Sequence, residues 1–208
     1  MEAADAAELR ELGSLIEKQR TTPDTYPLSL NALRLACNQA TSRDPVVDYD
    51  APTIRQALER LSLKRWVRLA SGPGSRAAKY RHLLGDALEL GDHELALLAV
   101  LMLRGPQTPG ELKQRTERLH TFAPGEIDET LERLAGRELV TRLQRRPGEK
   151  GERYAQLLGS EDAVPAQQQG QSPGQSLGRG EPVPPSLEER VAQLEEEVAR
   201  LRDEIAGR

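Results

Sequence analysis

Apolar residues near the start of the chain recur at helical spacing, with Leu9, Leu12, Leu15 and Ile16 on one face of a helix running from about Ala3 to Arg20. Thr21, Thr22 and Pro23 end it. Ser29 is a good N-cap for a second helix, whose stripe is Leu30, Leu33, Cys37 and Ala40. The polar stretch TSRDPVVDYD leads to a third helix, with Asp50 as cap, Pro52 in its first turn, and Ile54, Leu58 and Leu61 turned inward. The pattern then changes to that of a hairpin: Trp66 to Leu69 reads as a strand, SGPGS as a turn, and Ala77 to Leu83 as the returning strand.

This unit occurs twice. Ile54, Leu58, Leu61, Trp66 and Val67 recur 73 positions later as Ile127, Leu131, Leu134, Leu139 and Val140. After a one-residue slip, Pro73, Gly74, Tyr80, Leu83 and Leu84 recur as Pro147, Gly148, Tyr154, Leu157 and Leu158. In the second copy Asp92 is expected to cap the apolar helix ELALLAVLMLR, Thr108 to Glu111 has capping-box spacing, and the third helix is expected from about Pro124 to Arg137. The first copy carries 13 additional residues between its second and third helices. The predicted fold is α+β, mainly helical with small hairpin wings: two tandem winged helix-turn-helix modules, 1–84 and 85–158.

Residues 159–185 are rich in Gln, Gly, Pro and Ser and read as a flexible linker. Over 186–208 the apolar spacing becomes 4, 3, 4, 3, 4 at Leu187, Val191, Leu194, Val198, Leu201 and Ile205. Valine and isoleucine then occupy heptad position a and leucine position d, a choice that favours a parallel two-stranded coiled coil. Arg190 with Glu195, and Glu197 with Arg202, are complementary across that pairing. A weak homodimer through this helix is expected; the alternative is a solvated helix resting on the second module, since fewer than three full heptads are marginal alone.

The net charge of -4 is unevenly spread. Residues 8–84 hold 13 basic and 8 acidic side chains, residues 85–158 hold 11 and 13, and residues 159–208 hold 5 and 10. If nucleic acid is a partner, the first module is the one that meets it. With its apolar stripe turned inward, the third helix presents Thr53, Arg55, Gln56 and Glu59 near its start. Arg55 and Gln56 are types that read base edges. Ser75, Arg76 and Lys79 on the wing, with Arg60, Lys64, Arg65 and Arg68 nearby, are candidate contacts to a phosphate backbone. A plain solvated basic face is the alternative, and Glu59 speaks for it. The same face of the second copy is Glu126, Asp128, Glu129 and Glu132, which repels phosphate.

Other chemistry finds little support. His82, His93 and His120 lie in separate elements without metal-ligand spacing and read as surface or interface residues. Phosphate-loop, dinucleotide and nucleophile-elbow motifs are missing, so neither an enzyme nor a cofactor is expected. One cysteine makes no internal disulfide, and no signal-peptide pattern or membrane-length apolar run is seen, so a cytoplasmic chain with no membrane partner is expected. Cys37 belongs to a core stripe, and Trp66 to the helix-to-strand junction.

The stretch EKQRTTPDTYPLSLNALRLACNQATSRDPV, followed by TPGELKQR and GERYAQLL, resembles a bacterial family often called YceH-like, over roughly residues 8–158. The resemblance implies tandem winged helices and brings no established biochemical function and no catalytic residues. Asn31, Asn38, Gln39 and Arg43 lie on or just after the second helix of this stretch. Two roles are open to them: tying down the long connection that follows, or forming with it a surface for a protein partner.

Overall fold

Two residues with reciprocal hydrogen bonds start the first helix. The Asp5 carboxylate accepts the Glu8 N–H and the Glu8 carboxylate accepts the Asp5 N–H, each at 2.8 Å, opening α1 (Ala6–Thr21). The computed structural model describes residues 3–71, 77–144 and 151–160. After a short turn at Pro23–Thr25 come β1 (Leu28–Ser29) and α2 (Leu30–Cys37), whose cap is Ser29. A connection leads to α3 (Ala51–Leu63), where Asp50 accepts the Thr53 N–H at 2.9 Å. Strands β2 (Val67–Leu69) and β3 (Lys79–His82) follow, and the antiparallel sheet has the order β1-β3-β2.

The second copy repeats the plan with shorter connections. A single turn, α4 (Leu84–Ala87), leads into α5 (Asp92–Arg104). Its cap differs from expectation: Gly91 occupies the cap position, with its N–H held by the Glu94 carboxylate at 2.8 Å, and Asp92 is the first helical residue. Asp92 is instead ion-paired with Arg20. Thr108 and Glu111 form the expected capping box of α6 (Pro109–Thr116). Then come α7 (Glu126–Gly136) and the hairpin of β4 (Val140–Leu143) and β5 (Arg153–Gln156). Where the first copy has β1, the second has an isolated antiparallel bridge between Gln107 and Tyr154.

The repeat extends to the geometry of the helix-to-strand corners. Arg65 N–H donates to Ser62 and Trp66 N–H to Leu61; Glu138 N–H donates to Ala135 and Leu139 N–H to Leu134. Both corners turn on a non-glycine residue with positive φ, Arg65 at 60° and Glu138 at 56°. This is the Schellman termination, in which the residue after the turn packs its side chain back on the last helical turn. Trp66 and Leu139 are accordingly both buried.

Helices α1 and α5 pack against each other and join the two copies in one core. Gly13 lies at their crossing: a Cβ there would stand 2.9 Å from Leu103 Cγ and 3.2 Å from Met102 Cβ. The whole of Met1–Gln169 forms one compact unit, so the boundary at residue 84 separates two structural repeats that share apolar side chains. No helix among the described residues is long and apolar enough to cross a membrane. The linker expected at 159–185 and the coiled coil expected at 186–208 lie outside the described residues, apart from residues 159 and 160.

Candidate nucleic-acid interface

The outward face of α3 is set by its buried stripe. Ile54, Ala57, Leu58 and Leu61 turn inward, which leaves Arg55, Gln56 and Glu59 exposed. Arg55 and Gln56 make no hydrogen bond or ion pair among the described residues. Thr53 is committed to the cap, its hydroxyl donating to Asp50 Oδ1 at 2.6 Å. Those hydrogen bonds from Thr53 also hold the Asp50 carboxyl below its ordinary pKa.

On the adjoining hairpin, His82 and Val67 face the core, and strand alternation sets Arg68 and its cross-strand partner Arg81 toward the opposite side, although Arg81 also lines a cleft shared with His82. Lys79, two residues from Arg81, shares that face. Like charges directly opposite one another destabilise a sheet, yet no carboxylate among the described residues pairs with Arg68, Arg81 or Lys79. The strand β2 that carries Arg68 follows directly on α3 and packs against it, and the exposed residues of α3 include Arg55 and Gln56. Sequence inspection passed over Arg81, although its period-two relation to Lys79 would have placed it here.

Two other candidates fall elsewhere. Arg60 donates to Asp5 Oδ2 at 2.5 Å and lies 3.7 Å from Glu8, while Lys64 reaches Glu8 Oε1 at 2.7 Å. Arg60 of α3 and Lys64, the residue after that helix, are thus ion-paired with the start of α1, the Lys64 side chain buried and that of Arg60 still partly exposed. Arg76, with Ser75, lies outside the described residues.

The second candidate surface divides. Asn38 pairs with the backbone of Tyr49 in both directions, donating to its carbonyl at 2.8 Å and accepting its N–H at 2.9 Å. Gln39 donates to the Thr41 carbonyl at 2.9 Å. The Arg43 side chain is fully buried, with bonds to the Ala36 and Ser42 carbonyls and to Glu17 Oε2 at 2.7 Å. These three residues tie down the long connection. Asn31 remains exposed, its side chain without a partner among the described residues.

Charge on the second copy is arranged differently. Arg142 pairs with Glu152 across the hairpin and Arg153 with Glu111, both at 3.0 Å, and the exposed face of α7 carries Asp128, Glu129 and Glu132. Glu126 instead accepts the Ala123 N–H at 2.7 Å.

The family model described as Protein of unknown function, DUF480, matches residues 4–149. The chain belongs to this family. Among its relatives are UPF0502 proteins of Geotalea daltonii, 53% identical over 164 residues, and Pseudomonas aeruginosa, 54% identical over 157. The alignments cover 77% of this chain and 75% of the first relative, and 75% of this chain and 70% of the second. A UPF0502 protein of Opitutus terrae is 48% identical over 161 residues, covering 76% of this chain and 70% of its own. The DUF480 match takes in α3 and the first hairpin and stops before the predicted coiled coil.

The histidines of this DUF480 chain are not all at the surface, contrary to the sequence-based expectation. His82 is buried, with Nε2 against Gln19 Oε1 at 2.5 Å, and burial pushes its pKa down to about 4. His93 and His120 come together, their ring centres 6.0 Å apart. Cys37 is also buried, its thiol pushed up to about 12 by desolvation, which keeps it protonated and unreactive at neutral pH.

Proposed function

We propose that this chain is a non-enzymatic, cytoplasmic, tandem winged-helix protein that binds duplex DNA through its first module. The observation that carries the assignment is the cross-strand pair Arg68 and Arg81, with Lys79, which no carboxylate among the described residues pairs, on the hairpin that follows α3 with its exposed Arg55 and Gln56. In a winged helix the third helix enters the major groove and the wing meets phosphate. Arg55 and Gln56 are placed for base edges, and Arg68, Arg81 and Lys79 for the backbone. The acidic face of α7 and the pairing of Arg142 with Glu152 and Arg153 with Glu111 support packing and partner contact as the role of the second module.

Fluorescence anisotropy on mixed duplex DNA across a salt series tests this. Affinity is expected to fall linearly with salt on logarithmic axes. Arg55→Ala with Arg68→Ala should weaken binding by about 100-fold, and Arg68→Ala alone should reduce the salt slope by about 1. Arg142→Ala on the second hairpin should leave affinity unchanged. No binding at low salt would overturn the assignment.

A protein-interaction scaffold is the alternative, favoured by the exposed carboxylates of Asp128, Glu129 and Glu132 on the second module. A specific protein recovered equally with and without nuclease treatment would support it over DNA binding.

A further inference from the structure

A cleft of about 510 Å³ opens where the end of β3 meets the C-terminal turn of α1 and the start of α5. Its lining is strongly charged, and most of that charge has no partner. Arg20 and Asp92 satisfy one another. Arg81, Asp86 and Glu89 also line the cleft and are engaged by no side chain among the described residues. Among the described residues, the lining thus holds one unpaired cation and two unpaired anions. Glu89 is presented by a backbone at φ 49°, a left-handed conformation unusual for a residue with a side chain, and Arg137 holds that turn by donating to the Leu88 and Glu89 carbonyls.

His82 supplies an independent indication. It lines the same cleft, is more than nine-tenths buried, and has an Nδ1 without a partner among the described residues. The Gln19 Oε1 atom that meets its Nε2 only accepts, so the ring proton is on Nε2 and Nδ1 carries a free lone pair. The Tyr26 hydroxyl accepts the His82 backbone N–H at 2.9 Å and so fixes the main chain beside the ring. A buried acceptor left without a donor normally costs stability, and a ligand N–H removes that cost.

From the free guanidinium of Arg81, the free carboxylates of Asp86 and Glu89, and the unpartnered Nδ1 of His82 around one cleft, we infer a binding site for a basic α-amino acid. The ligand carboxylate meets Arg81 as a charge-assisted, two-pronged pair. The α-ammonium lies between His82 Nδ1 and Asp86, donating to both. A second cationic group at the end of the ligand side chain meets Glu89. An anionic ligand would face a net negative lining, and a neutral one would leave the three charges unmatched. Arg81 belongs both to this site and to the hairpin face, but the site is defined without nucleic acid and its test uses none.

Isothermal titration calorimetry of the full chain with L-arginine, agmatine and L-alanine distinguishes the contacts. L-Arginine is expected to bind saturably. Agmatine lacks the carboxylate and L-alanine the second cation, and each should bind at least about tenfold more weakly, the cost of one charged hydrogen-bonding partner. Asp86→Asn changes an exposed side chain and should weaken L-arginine by a similar factor while leaving the melting temperature in place. Absence of saturable L-arginine binding overturns the proposal, as does equal binding of L-arginine and agmatine to the unaltered protein. If L-arginine binds as expected and DNA does not, the amino-acid site stands and the DNA assignment fails.

Discussion

Glu11 lies on a helix enclosed on all sides, and neither of its carboxylate oxygens has a hydrogen-bond partner. Burial pushes its pKa up to about 9, only partly offset by the Arg60 guanidinium, so the side chain is neutral at physiological pH. A folded-state pKa above the unfolded value favours folding below the ordinary glutamate range, and that contribution is lost as pH rises through about 9. Glu11→Gln fixes the neutral state. At pH 8 the variant should be about 1–3 kcal/mol more stable than the parent, with the difference gone near pH 4.5, measured by urea unfolding across pH. A pH-independent difference would show that Glu11 is not the titrating group. Nothing in the local sequence announced this residue. The stripe Leu9, Leu12, Leu15 and Ile16 describes one face of α1, whereas Arg10, Glu11 and Glu17 are covered by elements distant in the chain.

At the level of elements, the two corners after α3 and α7 are the same Schellman turn built on different residues. L-amino acids with side chains occupy the left-handed region at a cost, and glycine removes it. Glu138→Gly is the informative change, because Glu138 is exposed and its side chain pairs with nothing among the described residues. The substitution should stabilise the fold by about 0.5–1 kcal/mol and raise the melting temperature by about 2–4 °C. A lower melting temperature would mean that the corner does not hold positive φ. These corners were legible in the sequence because a 73-residue repeat preserved the inward positions on both sides of each one. Hairpin charge was only partly legible. Arg60 and Lys64 looked equivalent to Arg68, but the capping box at Asp5 and Glu8 places carboxylates against the first two and none against the third. The Asn38, Gln39 and Arg43 group announced polarity at a helix end, and the structure resolves it as an anchor for the connection to α3.

At the level of the molecule, the two ends of the described chain meet. Ala4 forms a parallel bridge with Gly159, donating to the Leu158 carbonyl at 2.8 Å and accepting the Ser160 N–H at 2.9 Å. Gly159 and Ser160 therefore lie beside the start of α1, where Asp5 pairs with Arg60 of α3. Residues 159–185 have the Gln/Gly/Pro/Ser composition of a linker, and a random coil of 27 residues spans roughly 30 Å. We propose that the heptads at Leu187, Val191, Leu194, Val198, Leu201 and Ile205 pair two chains, so that two first modules share an effective concentration in the millimolar range. A flexible tether imposes no fixed half-site spacing, so the gain is avidity on any duplex long enough for both modules. Leu194→Lys places a charge at a core d position and should convert the dimer to monomer in sedimentation velocity. The same variant should bind a long duplex at least about tenfold more weakly, yet match the parent on a duplex that accommodates only one module. Equal losses on both duplexes would show that the tail contacts DNA or the first module directly, and an unchanged sedimentation coefficient would remove the heptads as the means of association.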